Sequence, residues 1–237
     1  MHYGSDKLIV ALDFSDFDKA LRLVDELGEL VTWYKVGMEL FYAAGSQAVR
    51  QLKGMGKEVF LDLKLHDIPH TVSRAVEVLA SLGVSMLNVH AAGGPAMLEA
   101  AAKAASRAGS GVRLLAVTVL TSLGQDEWLT VHPGATGDIA GQVVHLARLA
   151  ERCGFHGVVA SPAEAVAIRN QCGRDFLIVT PGIRPAGSTA DDQVRVATPR
   201  AALAAGADYL VVGRPVTGAS NPRKAVETII AEMEEAR

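Results

Sequence analysis

Only two cysteines, Cys153 and Cys172, occur in 237 residues, too few for a disulfide scaffold or a four-thiolate zinc site. Aromatic residues are scarce at 5%. No stretch approaches the roughly 18–20 uninterrupted apolar residues that a membrane span requires, and the first seven residues lack the apolar run of a secretory signal. Charge of one sign is not in excess either: 23 Lys and Arg against 26 Asp and Glu leave a formal net charge of −3. That balance argues against a chain built to coat nucleic acid or an anionic membrane. Linkers, low-complexity tracts and like-charge runs are missing, so nothing divides the sequence. With 49% apolar residues there is ample material for a core, and a globular, cytoplasmic protein is expected.

What is present is alternation. Short β-branched runs at Leu8–Asp13, Trp33–Gly37, Glu58–Lys64, Met86–His90, Leu114–Val119, Gly157–Ser161, Phe176–Thr180 and Tyr209–Gly213 read as strands. Segments of helical period lie between and after them: Asp18–Leu30, Gln47–Lys53, His70–Leu82, Ala96–Arg107, Asp138–Cys153, Ala163–Gln171, Arg200–Ala205 and Arg223–Glu235. Units spaced by roughly thirty residues suit βαβ crossovers. Runs such as Leu8-Ile9-Val10-Ala11-Leu12 are apolar on both faces, as strands covered by helices must be. The α/β class is therefore expected, as a single (β/α)8 TIM barrel forming one catalytic domain over residues 1–237. An open doubly wound sheet is the rival, but no G-x-G-x-x-G follows the first strand.

Barrel enzymes keep their chemistry at the carboxyl ends of the strands, so charges there are informative. In strand three, Val59, Leu61, Leu63 and Leu65 share one face while Phe60, Asp62 and Lys64 share the other. The second face points into the barrel, where charges are costly unless paired. An interior salt bridge would explain the pair structurally; a lysine positioned and kept charged by Asp62 would explain it functionally. Asp13 at the end of strand one, Lys35 beside Val36 and Gly37 in strand two, and Asp67 three residues beyond Lys64 favour the functional reading. Together the five would ring one opening with alternating sign, and Gly37 would let a ligand approach closely.

An anion cradle is expected at the last two strands. Thr180-Pro181-Gly182-Ile183-Arg184 and Val212-Gly213-Arg214-Pro215 stand where this fold binds phosphate, and arginine adds forked, charge-assisted bonds. The stretch from Ile183 to Pro199 is long for a βα loop and reads as a lid with Gln193 as a polar tip. Leu120-Thr121-Ser122 is a further polar element on the rim. His66 and His70 flank Asp67, but Pro69 interrupts the helix that metal ligation across this spacing would need, so no metal is expected. His90 reads as a supporting hydrogen-bonding residue, and Ser161-Pro162 lacks the context of a serine nucleophile.

The run Asp62-Leu63-Lys64-Leu65-His66-Asp67-Ile68-Pro69-His70-Thr71-Val72 resembles the D-x-K-x-x-D signature of the orotidine 5′-monophosphate decarboxylase family in its bacterial form. The resemblance extends in order to Val10–Asp13, Lys35–Gly37, Leu120–Ser122, Thr180–Arg184, Gln193 and Val212–Arg214, nearly the whole chain. D-x-K-x-x-D alone is shared with sugar-phosphate lyases on the same barrel; its extension through Ile68, Pro69 and Thr71 is more specific. The resemblance implies cofactor-free decarboxylation of orotidine 5′-monophosphate to uridine 5′-monophosphate (UMP), the last step of pyrimidine nucleotide synthesis. It implies Lys64 as the acid that protonates C6 and Asp62 beside the departing carboxylate, with Lys35 and Asp13 holding the charge network and ribose hydroxyls. Thr121 would lie along the pyrimidine, while Arg184, Gln193, Gly213 and Arg214 would surround the phosphate. Ile68 and Pro181 join the substrate-binding set. Asp67 and Thr71 would reach into the neighbouring subunit's site of a homodimer.

The chemistry such a reaction needs matches these residue types. Loss of carbon dioxide from C6 leaves a carbanion with no cofactor to act as electron sink. A positioned ammonium stabilises that charge and then quenches it by proton transfer, and Asp62 and Asp67 would favour the charged form of Lys64. Three rivals stay open: a magnesium-dependent lyase acting on a sugar phosphate, a Schiff-base enzyme using Lys64 or Lys35, and a nucleotide-binding protein without turnover.

Overall fold

The computed structural model describes residues 6–185 and 196–236. Eight parallel strands close into a barrel in sequence order: β1 (Leu8–Ala11), β2 (Trp33–Gly37), β3 (Glu58–Leu65), β4 (Met86–His90), β5 (Arg113–Val117), β6 (Gly157–Val159), β7 (Leu177–Thr180) and β8 (Tyr209–Val212), with β8 pairing back onto β1. The helices are α1 (Phe17–Leu27), α2 (Met38–Ala44), α3 (Ser46–Gly54), α4 (Pro69–Ala80), α5 (Gly94–Ala108), α6 (Gln125–Val131), α7 (Ile139–Arg152), α8 (Pro162–Cys172), α9 (Pro199–Ala204), α10 (Arg214–Thr217) and α11 (Pro222–Glu234). This is the expected (β/α)8 barrel.

Alternation along each strand builds two cores. Ile9, Ala11, Trp33, Phe60, Met86, Leu115, Val179 and Val211 fill the barrel interior. Their outward neighbours, among them Val10, Tyr34, Leu61, Leu87 and Ile178, pack under the helices. Full burial of a side chain such as Leu61 contributes about 1.5–3 kcal/mol. At the start of the strands Arg113 lies over the rings of Trp33 and Tyr209, 5.0 and 5.4 Å from their centroids, and donates to the Tyr209 hydroxyl at 3.0 Å. This interior charge closes the end of the barrel remote from the strand carboxyl termini.

Helix starts follow local chemistry. The side chains of Asp16, Asp138, Ser161, Thr198 and Asn221 each accept a backbone N–H in the first turn of the helix that follows, satisfying an otherwise unpaired donor. Proline stands in the first turn of α4, α8, α9 and α11, where its missing N–H costs nothing. At Gly28, with φ of 52°, α1 gives way to a short 3-10 turn instead of running on to Leu30. Several strands end one or two residues before the apolar run does, so Asp13 lies beyond β1 rather than within it. The sequence reading also passed over α2, α6 and α10, which have 7, 7 and 4 residues.

Candidate active site

A cavity of about 340 Å³ opens at the carboxyl ends of the strands. It is lined by Asp13, Lys35, Asp62 and Lys64 from the β1–β3 region and by Pro181, Gly182, Arg184, Gly213 and Arg214 from the segments after β7 and β8, with Gly213 beside Asp13. Leu120, Thr121 and Ser122 complete the rim, and Ala11, Phe60, Val159 and Val211 form an apolar floor.

Register explains how the charges meet. Ala11 of β1 pairs with Lys35 and Gly37 of β2 pairs with Asp62, so inward-facing positions on three neighbouring strands converge. Lys35 Nζ donates to Asp13 Oδ1 at 2.8 Å and lies 3.3 Å from Asp62 Oδ2. Lys64 Nζ donates to Asp62 Oδ1 at 2.7 Å. The result is a chain of alternating sign, Asp13–Lys35–Asp62–Lys64. Burial pushes the Asp62 carboxyl upward, but the ammoniums of Lys35 and Lys64, with hydrogen bonds from Lys64 and Asn88, overcome it and hold its pKa below the ordinary value. Burial likewise pulls Lys35 down, and the carboxylates of Asp62 and Asp13 outweigh it, so its pKa is raised. Both groups therefore sit in the barrel as ions.

Gly37 makes room for this network. A Cβ there would fall 2.8 Å from Lys35 Nζ and 3.1 Å from Asp13 Oδ1. The space left by the missing side chain holds the chain's own ion pair.

Lys64 is the one non-glycine residue of positive φ among the described residues, at 52°. A lysine in this left-handed region costs about 1–3 kcal/mol, and such strain persists only where surroundings over-determine it. Here β3 bulges against β4: Leu61 pairs with Leu87, and the next pairing is Leu65 with Val89. Asn88, fully buried, faces the bulge, accepts from the Lys64 backbone N–H at 2.8 Å and donates to Asp62 Oδ1 at 2.6 Å. Asn88 escaped the sequence reading. Its signal was a lone amide at an inward position between Met86 and His90 of β4.

The segments after β7 and β8, expected to cradle an anion, line the same cavity. Gly182, with φ of 76°, turns the chain sharply after β7. Ile183 bridges to Ala197, and the Arg184 N–H donates to the Ala197 carbonyl at 3.0 Å. The long segment between them is thus clamped at its stem. Arg184 is 8% exposed, while Arg214 is exposed at the start of α10. Gln193 lies outside the described residues.

Asp67, Ile68 and Thr71 are not brought into the cavity of their own chain. All three are exposed on the rim, Ile68 at 66%, and Asp67 Oδ1 accepts the Ile68 N–H at 2.7 Å. The expected ring of five charges is therefore a chain of four within one protomer. His90 faces the ring of His66, centroids 5.3 Å apart, and burial, with the nearby His66 and Lys64, lowers its pKa. Trp128 is buried at 4% exposure and packs on His132 with ring centroids 5.2 Å apart, so it anchors α6.

Comparison with known proteins gives the family. The chain is 51% identical to the orotidine 5′-phosphate decarboxylase of Moorella thermoacetica, covering 98% of this chain and 94% of that protein. It is 51% identical to the protein of that name from Chromohalobacter salexigens, covering 96% of each. The crystal structure of orotidine 5′-phosphate decarboxylase from Lactobacillus acidophilus superposes with a TM-score of 0.82 at 40% identity, over 96% of this chain and 98% of that one. A sequence profile of the orotidine 5′-phosphate decarboxylase / HUMPS family matches residues 6–229, and the chain belongs to that family.

Proposed function

We propose that this chain is a carboxy-lyase that converts orotidine 5′-monophosphate to UMP and carbon dioxide, completing pyrimidine nucleotide synthesis, without metal or organic cofactor. One observation carries the reading: the Asp13–Lys35–Asp62–Lys64 ion chain lines one cavity together with Arg184, Gly213 and Arg214. That arrangement suits a substrate with a phosphate at one end and a developing carbanion at the other.

In the proposed step the C6–carboxylate bond breaks and its electron pair stays on C6. Lys64 Nζ stabilises that charge, then delivers a proton to it, leaving a neutral amine that regains its proton from water. Asp62, held ionised by two ammoniums, aims Lys64. Lys35 and Asp13 complete the network and meet the ribose hydroxyls. Thr121 and Pro181 border the pyrimidine. Arg184, Gly213, Arg214 and, from beyond the described residues, Gln193 take the phosphate, so that binding energy remote from the ring assists chemistry at C6. Asp67 and Thr71, turned away from their own cavity, serve the site of a second copy, and Ile68 accompanies them; the active unit is a homodimer. Two free, buried thiols, Cys153 and Cys172, fit a reducing cytoplasm.

The deciding experiment follows the ultraviolet absorbance of orotidine 5′-monophosphate with purified protein in excess EDTA. Conversion to UMP is expected, and Lys64→Ala should lower kcat by about 10³-fold or more while UMP binding changes by less than about tenfold. Absence of turnover, with activity appearing on a sugar phosphate plus magnesium, would transfer the chain to the metal-dependent lyases of the same barrel. Near-normal turnover by Lys64→Ala would remove the proton donor.

A further inference from the structure

We propose that Asn88 is a positioning residue for the reaction, fixing Lys64 and Asp62 in their working geometry through both ends of one amide. The inference rests on the decarboxylase reading above and adds to it a residue outside the ion chain.

The argument begins with the ladder. Between the pairs Leu61–Leu87 and Leu65–Val89, three residues of β3 face the single residue Asn88 of β4. Such a bulge re-aims a side chain at the cost of ladder hydrogen bonds. The Lys64 N–H is one that loses its ladder partner, and Asn88 Oδ1 replaces it at 2.8 Å. With its N–H so held, the Lys64 backbone stays at φ of 52°, and the side chain reaches Asp62 Oδ1 at 2.7 Å. The other end of the amide donates to Asp62 Oδ1, the same oxygen that receives Lys64 Nζ. An amide is suited to this because it offers an acceptor and a donor and adds no charge. Complete burial of Asn88 leaves no water to take over either contact.

A purely structural role for Asn88 predicts something different: fewer folded molecules, each working normally. The test therefore compares wild type, Asn88→Ala and Asn88→Asp, with active sites counted by UMP titration and kcat, KM and the acid limb of kcat/KM measured per site. The groups facing Asp62 are Lys35 from β2, Lys64 on its own strand and, at longer range, His90 from β4; Asp13 reaches it only through Lys35. None of these changes in the variants. For Asn88→Ala, kcat per site should fall about 10–100-fold, as a small misplacement of reacting groups does, with KM within about threefold. Its acid limb should move to higher pH, because the Asp62 carboxylate has lost a donor. Asn88→Asp keeps the acceptor for Lys64 but sets a second carboxylate against Asp62. It should be slower than Asn88→Ala at neutral pH and gain on it as pH falls and the new carboxyl, protonated, donates in the amide's place.

Asn88→Ala protein with wild-type kcat per site and an unmoved acid limb overturns the proposal. So does loss confined to the number of UMP-binding sites, or an Asn88→Asp profile that parallels Asn88→Ala at every pH. Should Asn88→Ala be recovered only unfolded, the pH profile of Asn88→Asp decides alone. A wild-type chain without turnover would instead defeat the decarboxylase reading, and this inference with it.

Discussion

Asp62 is where the site's energetics concentrate. At 8% exposure its charge is tolerable only because it touches ammoniums on both sides. Folding lowers its pKa below the ordinary 3.8, so the unfolded chain takes up the proton first as pH falls. The stabilisation is complete above the unfolded value and is lost as pH drops through the folded one. Lys35 has the opposite sign: raised above 10.5, it stabilises the fold at all lower pH and loses that contribution as pH rises through its folded value. Replacing Asp62 by Asn leaves Lys64 without its carboxylate and Lys35 with one fewer, and breaking buried pairs of this kind costs about 3–5 kcal/mol. Urea unfolding should show that deficit level between pH 5 and 9 and shrinking below about pH 4. A deficit that persists unchanged into strong acid would mean that packing, not charge, is lost.

At the scale of elements, β2 and β3 act as one device, and Gly37 is its tightest fit. Its φ of −88° suits any residue, so Gly37→Ala should strain nothing in the backbone. Its new Cβ would meet only the flexible end of Lys35 and the Asp13 carboxylate. Melting should shift by less than about 4 °C, roughly 1 kcal/mol for a chain of this size, while kcat/KM falls about 10–100-fold as Lys35 is displaced. A large melting change with intact kcat/KM would reverse that assignment. The sequence was informative about this device for a simple reason: Asp62 and Lys64 interrupt an apolar strand on the inward face, and an expensive placement shows in the pattern. It was silent where geometry departs from period. The bulge of β3, the left-handed Lys64 and the amide that answers them depend on pairing with β4, which no local pattern encodes. α2, α6 and α10 were invisible because one or two turns contain too few positions for a 3.6-residue repeat to register.

At the scale of the whole molecule, the four-membered ion chain and the displaced Asp67 belong to one argument. Asp13, Lys35, Asp62 and Lys64 sum to no net charge, and Asp67 stands exposed on the rim of the same opening. If a second copy supplies its Asp67 and Thr71 to this cavity, each site draws its lysine from one chain and its third acid from the other. That division can be tested without seeing the dimer. Lys64→Ala and Asp67→Ala should each be nearly inactive alone. After unfolding and refolding together in equal amounts, half of the dimers should be mixed. Each mixed dimer holds one site with an intact Lys64 from the Asp67→Ala chain and an intact Asp67 from its partner, so about a quarter of wild-type activity should return. The recovered activity should depend on the mixing ratio and peak at equal amounts. Mixtures that stay as inactive as their components would place Asp67 in its own chain's chemistry, reached by a movement of the rim, and would leave a second copy with no part in building the site.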